Sequence, residues 1–189
     1  MLLNEQKLTM IQPLLLHIDA EYTATFISKE QNQNQKSVQL FLDSLETKGI
    51  LTSRYEGKNK LFSWNKNNPL IVKQFILSVE HLRTLYFYKA NPFMKQVLEK
   101  LLREIKGMAL VFGSFADNTQ TEDSDVDIII IGKYDEESTK RIISLYNFDI
   151  SIKHMKKYEE NALTKEIKKK HIILKNAEMY IEEVIPWIN

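Results

Sequence analysis

The chain has no cysteine, which excludes disulfides, zinc–thiolate centres and a cysteine nucleophile together and fits a reducing interior. It has no excess of one charge. With 26 Lys and Arg against 25 Asp and Glu, the formal net charge is +1, so no global field draws the protein to nucleic acid or membrane and any basic surface is local. Long apolar runs are missing too: none approaches the ~20 residues that span a bilayer. The start Met1-Leu2-Leu3-Asn4-Glu5 lacks the basic region and apolar core of a signal peptide. The four histidines, His17, His81, His154 and His171, are scattered without ligand spacing, which argues against a histidine-based metal site. No local motif groups Ser, His and Asp, no repeat is visible, and low complexity is confined to Gln31-Asn32-Gln33-Asn34-Gln35. The expectation is a soluble, cytoplasmic protein with no membrane partner.

Hydrophobic residues at 43% and charged residues at 27% match ordinary globular chains, so a packed core is expected. Leu8, Ile11, Leu15 and Ile18 recur at helical spacing between Glu5 and Ile18, with Pro13 expected to end or kink that helix. A short helix is expected over Thr23 to Lys29. The stripe Val38, Phe41, Leu42, Leu45 predicts a helix from Lys36 to Lys48, stopped by Gly49. Two β-prone runs follow, Ile50 to Tyr55 and Leu61 to Trp64, joined by the loop Glu56-Gly57-Lys58-Asn59-Lys60. The polar stretch Asn65-Lys66-Asn67-Asn68-Pro69 reads as a linker, giving domains of residues 1–68 and 69–189.

Beyond the linker a long helix is expected from Leu70 to Ala90, then one from Pro92 to Lys106, capped by Asn91 and stopped by Gly107. Strands are expected at Met108 to Phe112, Val126 to Ile131 and Phe148 to Ile152, with a helix from about Glu136 to Leu145. Ile128 to Ile131 is apolar at every position, as in a strand covered on both faces. Lys153 to Lys157 and Lys165 to Lys170 read as basic helix, Ile172 to Leu174 as a strand or docking segment, and Ala177 to Val184 as a final helix. Lys153, Lys156, Lys157, Lys168, Lys169 and Lys170 could contact phosphates of a nucleotide or nucleic acid, with a solvated helix face as the first reading.

Chemistry concentrates in Val111-Phe112-Gly113-Ser114-Phe115-Ala116-Asp117-Asn118 and in Thr121-Glu122-Asp123-Ser124-Asp125-Val126-Asp127. Gly113 lets a ligand approach the backbone, and Ser114 offers a hydroxyl and an N–H that suit phosphate. Residues two apart on a strand share a face, so Asp125 and Asp127 stand together and repel each other unless a cation or a proton intervenes. Mg²⁺, which takes oxygen ligands and bridges carboxylates to phosphates, is the obvious guest. Asp149, on the alternating run Phe148-Asp149-Ile150-Ser151-Ile152, is the candidate third acid. It could ligate a metal in a two-metal site and accept the proton of an incoming hydroxyl.

This pattern resembles the nucleotidyltransferase superfamily of DNA polymerase β, especially its minimal bacterial and archaeal members. The resemblance covers Met108 to Ile152 and rests on Gly113-Ser114, Ala116, Ser124-Asp125 and Asp127. It implies that Gly113 and Ser114 bind nucleotide phosphates and that Asp125, Asp127 and Asp149 hold Mg²⁺ and form the catalytic triad. Asn118 stands where the family usually has glycine, and asparagine tolerates the left-handed backbone best among other residues. The first third resembles a winged helix-turn-helix. That implies double-stranded DNA as a partner, read by Gln33, Gln35, Lys36, Ser37, Gln39 and Asp43, with Arg54, Lys58 and Lys60 near phosphates.

The fold expected is thus α/β (α+β): an N-terminal winged helix and a C-terminal nucleotidyltransferase domain with a small mixed sheet flanked by helices. The activity expected is Mg²⁺-dependent transfer of an NMP from an NTP, ATP foremost, to a hydroxyl on a protein or small molecule. The alternative is a DNA-binding regulator or antitoxin-like partner whose transferase domain only binds. By the same resemblance a small helical protein is a further partner.

Overall fold

The computed structural model of the chain describes residues 3–121, 124–146 and 149–189. Phe148, the expected start of the third strand, lies outside them, as do Glu122, Asp123, Asn147, Met1 and Leu2. The chain divides into two units, residues 1–79 with 184–189, and residues 80–183. The division falls within the long helix α4 (Pro69–Ala90) rather than in the polar linker before it.

Three helices open the first unit, α1 (Glu5–Leu16), α2 (Ala24–Glu30) and α3 (Gln35–Thr47). Each starts on a side-chain cap: Asn4 accepts from the Lys7 N–H, Thr23 from Phe26 and Asn34 from Ser37, which satisfies donors the first turn cannot. Pro13 does not end α1. The helix continues one turn further, because Pro13 gives up a single N–H while Pro13 and Leu14 are both buried. The expected stripe of α3 is buried at Val38, Phe41, Leu42 and Leu45.

Strands β1 (Leu51–Glu56) and β2 (Asn59–Trp64) pair antiparallel from Leu51↔Trp64 to Glu56↔Asn59. Their loop is shorter than expected, a two-residue Gly57-Lys58 turn with Gly57 at φ +59°, the tight connection that a left-handed glycine permits. Buried Trp64 donates its Nε1–H to the Leu14 carbonyl at 2.8 Å. Ile185 and Ile188 of the C-terminal tail are buried in the chain as well.

In the second unit a four-stranded mixed sheet has the order β5-β4-β3-β6. β3 (Ile105–Phe112) pairs antiparallel with β4 (Val126–Tyr134) and with β6 (Ile172–Lys175), and β4 pairs parallel with β5 (Ile150–Met155). One face of β3 and β4 presents Ile105, Ala109, Val111, Val126, Ile128 and Ile130. These form one core with Val97, Leu98 and Leu101 of α5 (Lys95–Leu101). Residues of the opposite face, Met108, Leu110, Ile129 and Ile131, are buried too, so the all-apolar run of β4 is covered on both sides as its composition predicts.

Three expectations for this unit need correction. The segment from Pro92 is a single 3₁₀ turn (Pro92–Met94) followed by α5, and the Asn91 side chain serves the preceding helix instead, donating to the Phe87 carbonyl at 3.0 Å. Gly107 is no helix stop. It lies inside β3 opposite Gly132, where an added Cβ would stand 2.1 Å from the Ile131 carbonyl oxygen, and this close backbone approach is what needs glycine. Lys153 to Met155, read as helix, continue β5, because pairing with Ile129 to Ile131 of the buried strand overrides local preference. The remaining helices are α6 (Ser114–Asp117), α7 (Glu136–Ile143), α8 (Ala162–Lys169) and α9 (Ala177–Val184).

Candidate active site

β3 delivers the chain to Gly113, whose φ of +69° and ψ of −151° suit only glycine. Ser114 then opens α6, and Phe115 anchors this turn in the core. Asn118 ends α6 in the left-handed conformation, φ +55° and ψ +36°, with its N–H bonded to the Ser114 carbonyl. The position therefore keeps the turn geometry with asparagine in place of glycine. Beyond it a short clasp fixes the approach to β4. The Thr121 N–H donates to Ser124 Oγ at 2.9 Å and the Ser124 N–H to the Thr121 carbonyl at 3.2 Å.

Asp125 and Asp127 flank Val126, the first residue of β4. Asp127 pairs with Phe112 across the antiparallel ladder, and its carboxylate lies against Gly113: a Cβ there would stand 2.7 Å from Asp127 Oδ2. The Val126 N–H donates to the Asp149 carbonyl at 2.9 Å, and the parallel register sets Asp127 beside Ser151. By strand alternation Asp125, Asp127, Asp149 and Ser151 share one face at this end of the sheet. Asp125 and Asp149 are exposed and Asp127 is half-buried.

Among the described residues none of the three carboxylates has a side-chain partner, and no group of three or more His, Cys, Asp or Glu is gathered closely enough to hold a metal ion. The acids share a face without converging.

The residues expected to read DNA lie in the first unit, and several are engaged with other side chains. Lys60 Nζ sits 2.8 Å from Asp43 and 2.6 Å from Glu46. These bonds raise the lysine's pKa; they lower that of Glu46 and, against the upward pull of burial, that of Asp43. Arg54 Nε donates to Glu21 at 2.8 Å and 3.0 Å, holding that carboxyl below its usual range. Gln39 Nε2 donates to Asp43 at 3.1 Å and Gln35 Nε2 to Thr25 at 2.8 Å. Lys36 on α3 and Lys58 in the hairpin turn are exposed.

No local motif singles out Lys170 among the basic residues of its segment. It stands with Nζ 3.5 Å from Oδ1 of Asp117, the last residue of the short helix that Ser114 begins. Only the pairing of β6 with β3 brings it there.

A family model for the nucleotidyltransferase domain matches residues 94–185, a span that contains the whole sheet, the Gly-Ser turn and all three acids. This supports the nucleotidyltransferase superfamily for this part of the chain, and nucleotidyl transfer as its general chemistry. No curated protein and no solved structure matched the chain. Among the described residues no helix is long and apolar enough to cross a membrane.

Proposed function

We propose that the second unit transfers a nucleoside monophosphate from an NTP, with ATP the first choice, to a hydroxyl on a protein or small molecule. The observation that carries this is the placement of Asp125 and Asp127 at the head of β4, with Asp127 against Gly113 and Asp149 tied alongside just before the next strand. The donor set suits Mg²⁺, being oxygen-only and anionic. Gly113 suits a phosphate beside it, since it keeps a Cβ out of the space next to the Asp127 carboxylate.

Asp125, Asp127 and Asp149 would hold the ion, which when bound offsets phosphate charge and polarises the α-phosphorus. Gly113 and Ser114 receive the phosphates through backbone approach and the serine hydroxyl. The acceptor oxygen bonds to the α-phosphorus. The bond to the α,β-bridging oxygen breaks with its electron pair leaving on pyrophosphate, and Asp149 takes the hydroxyl proton. Incubation with α-labelled ATP, GTP, CTP and UTP plus Mg²⁺, alone and with cell lysate, tests the reading. Label transfer that disappears in Asp125→Ala/Asp127→Ala supports it, and no transfer from any NTP refutes it.

For the first unit, three helices followed by a two-stranded hairpin favour a winged helix. We read its DNA-facing surface as α3 and the hairpin turn, with Gln35, Lys36, Gln39 and Lys58 toward the duplex. Arg54 and Lys60 join them only by leaving their carboxylates. Salt-sensitive duplex binding that Lys36→Ala/Lys58→Ala weakens is the expected result; its absence would remove DNA as a partner.

A further inference from the structure

We propose that Lys170 is a positioning residue for the β- and γ-phosphates of the NTP, held in the free protein by Asp117 and transferred to the phosphates on binding. This rests on the nucleotidyltransferase reading of the site. Two independent observations place the lysine. In the β3–β6 ladder Ile173 pairs with Leu110 and Ile172 with Val111, and Lys170 lies two residues before that last pair, at the end of the ladder where β3 runs on to Gly113. Separately, its Nζ lies 3.5 Å from Oδ1 of Asp117, the last residue of the helix that Ser114 begins.

Its neighbours on the chain are committed elsewhere. Lys168 Nζ contacts Glu160 at 3.2 Å and Lys169 Nζ contacts Glu166 at 2.7 Å, both surface acids near α8. The Asp117 contact is a loose one: Oδ1 is shut off from solvent yet has no hydrogen bond, and the lysine side chain is 58% exposed. A single carboxylate at that distance holds an exposed ammonium weakly. A triphosphate, with several charges and unshared oxygens, competes for it well.

The sheet order then lays the site out as a row: Asp149 before β5, Asp125 and Asp127 at the head of β4, the Gly113-Ser114 turn after β3, and Lys170 before β6. With the α-phosphate at the carboxylate end, the chain of phosphates crosses the turn toward Lys170. As the bridging bond breaks, the electron pair moves onto pyrophosphate, the group nearest the ammonium. Lys170 thus neutralises charge that grows during the reaction.

The test is equilibrium binding of the four NTPs, with Mg²⁺, to the full chain, and of the monophosphate of whichever NTP binds tightest. Lys170→Ala is expected to weaken NTP binding about 10- to 100-fold and to leave monophosphate binding unchanged. Lys170→Arg restores most of the loss, and Asp117→Asn tightens NTP binding by up to about fivefold. Undiminished NTP affinity in Lys170→Ala, or equal loss for NTP and monophosphate, overturns the assignment of Lys170 and leaves the transferase reading standing. A wild-type chain with no Mg²⁺-dependent NTP binding that Asp125→Ala/Asp127→Ala removes overturns both. Circular dichroism on each variant separates lost binding from lost fold, and Lys170→Arg carries the test if the alanine variant misfolds.

Discussion

Acidic side chains are used in opposite ways in the two units. In the first, Asp43 and Glu46 grip Lys60, and Glu21 grips Arg54, so these two bases are engaged by neighbouring carboxylates. In the second, Asp125, Asp127 and Asp149 share a face with no side-chain partner among the described residues. Paired acids lower each other's reactivity and add a little stability. The three acids at the end of the second unit's sheet have no such partner and keep their carboxylates open to the solvent side.

The most damaging change expected is Asp125→Ala/Asp127→Ala, with label transfer reduced by at least about 10³-fold and thermal stability kept, since neither carboxylate has a side-chain partner among the described residues to lose. Loss of activity together with unfolding would show that these acids are structural and would dissolve the contrast. Gly113→Ala comes next. Its Cβ would meet Asp127 Oδ2 at 2.7 Å on a backbone of φ +69°, so a destabilisation of about 1–3 kcal/mol with weakened Mg²⁺-dependent NTP binding is expected, measured by denaturant unfolding and calorimetry.

pH separates the units by the window in which each responds. His171 Nδ1 lies 2.8 Å from the Ile167 carbonyl and so carries the proton. Nε2 is left 3.7 Å from Glu80, with Arg83 and the rings of Tyr180 and, beyond it, Tyr158 completing the surroundings. Burial, more than the opposing effect of Glu80, holds the His171 pKa below its usual value. The unfolded chain then binds more protons as pH falls below about 6.5, and stability drops there with a slope of up to about 1.4 kcal/mol per pH unit. His171→Asn should flatten that slope. Asp43, Glu46 and Glu21 have lowered pKa values, so their contribution is present above the ordinary carboxylate range and is lost only as pH falls through and below it. Unfolding melts from pH 8 to 3 distinguish the two windows; a single acid transition with no change in His171→Asn counts against the separation.

Smaller effects are expected from Lys60→Ala, about 1 kcal/mol or less for a partly exposed pair, read by thermal melting. Removing the counter-charges instead, in Glu21→Gln/Asp43→Asn/Glu46→Gln, should raise affinity for duplex DNA at low salt if the first unit binds it. Unchanged affinity would mean that Arg54 and Lys60 never face phosphate.

Local chemistry made the turn and the central strand legible. Gly113-Ser114 before a short helix, Asn118 in a left-handed position and four isoleucines in a row each impose a conformation on their own residues. The final helix, Ala177–Val184, and the stripe of α3 were readable by periodicity. What stayed hidden depends on distant pairing. Ile105 and Lys106 look like the end of a helix but pair with Tyr134 and Lys133. Gly107 looks like a stop until Gly132 is seen across the ladder, and Lys153 to Met155 are basic or polar enough to pass for helix. The same holds at the site: the aspartates announced themselves by spacing, whereas Lys170 reaches the turn only because β6 folds back along β3.

Sheet position gives the three acids unequal mounts. Asp125 and Asp127 sit at the head of β4, a strand bonded on both sides, whose amides should exchange with solvent only when the whole unit opens. Asp149 introduces β5, an edge strand of the sheet, bonded along one side only. Amide exchange measured along β4 and β5 should therefore be slow for the strand that carries Asp125 and Asp127 at its head and faster for the one that Asp149 introduces, a hierarchy of one fixed pair and one looser acid.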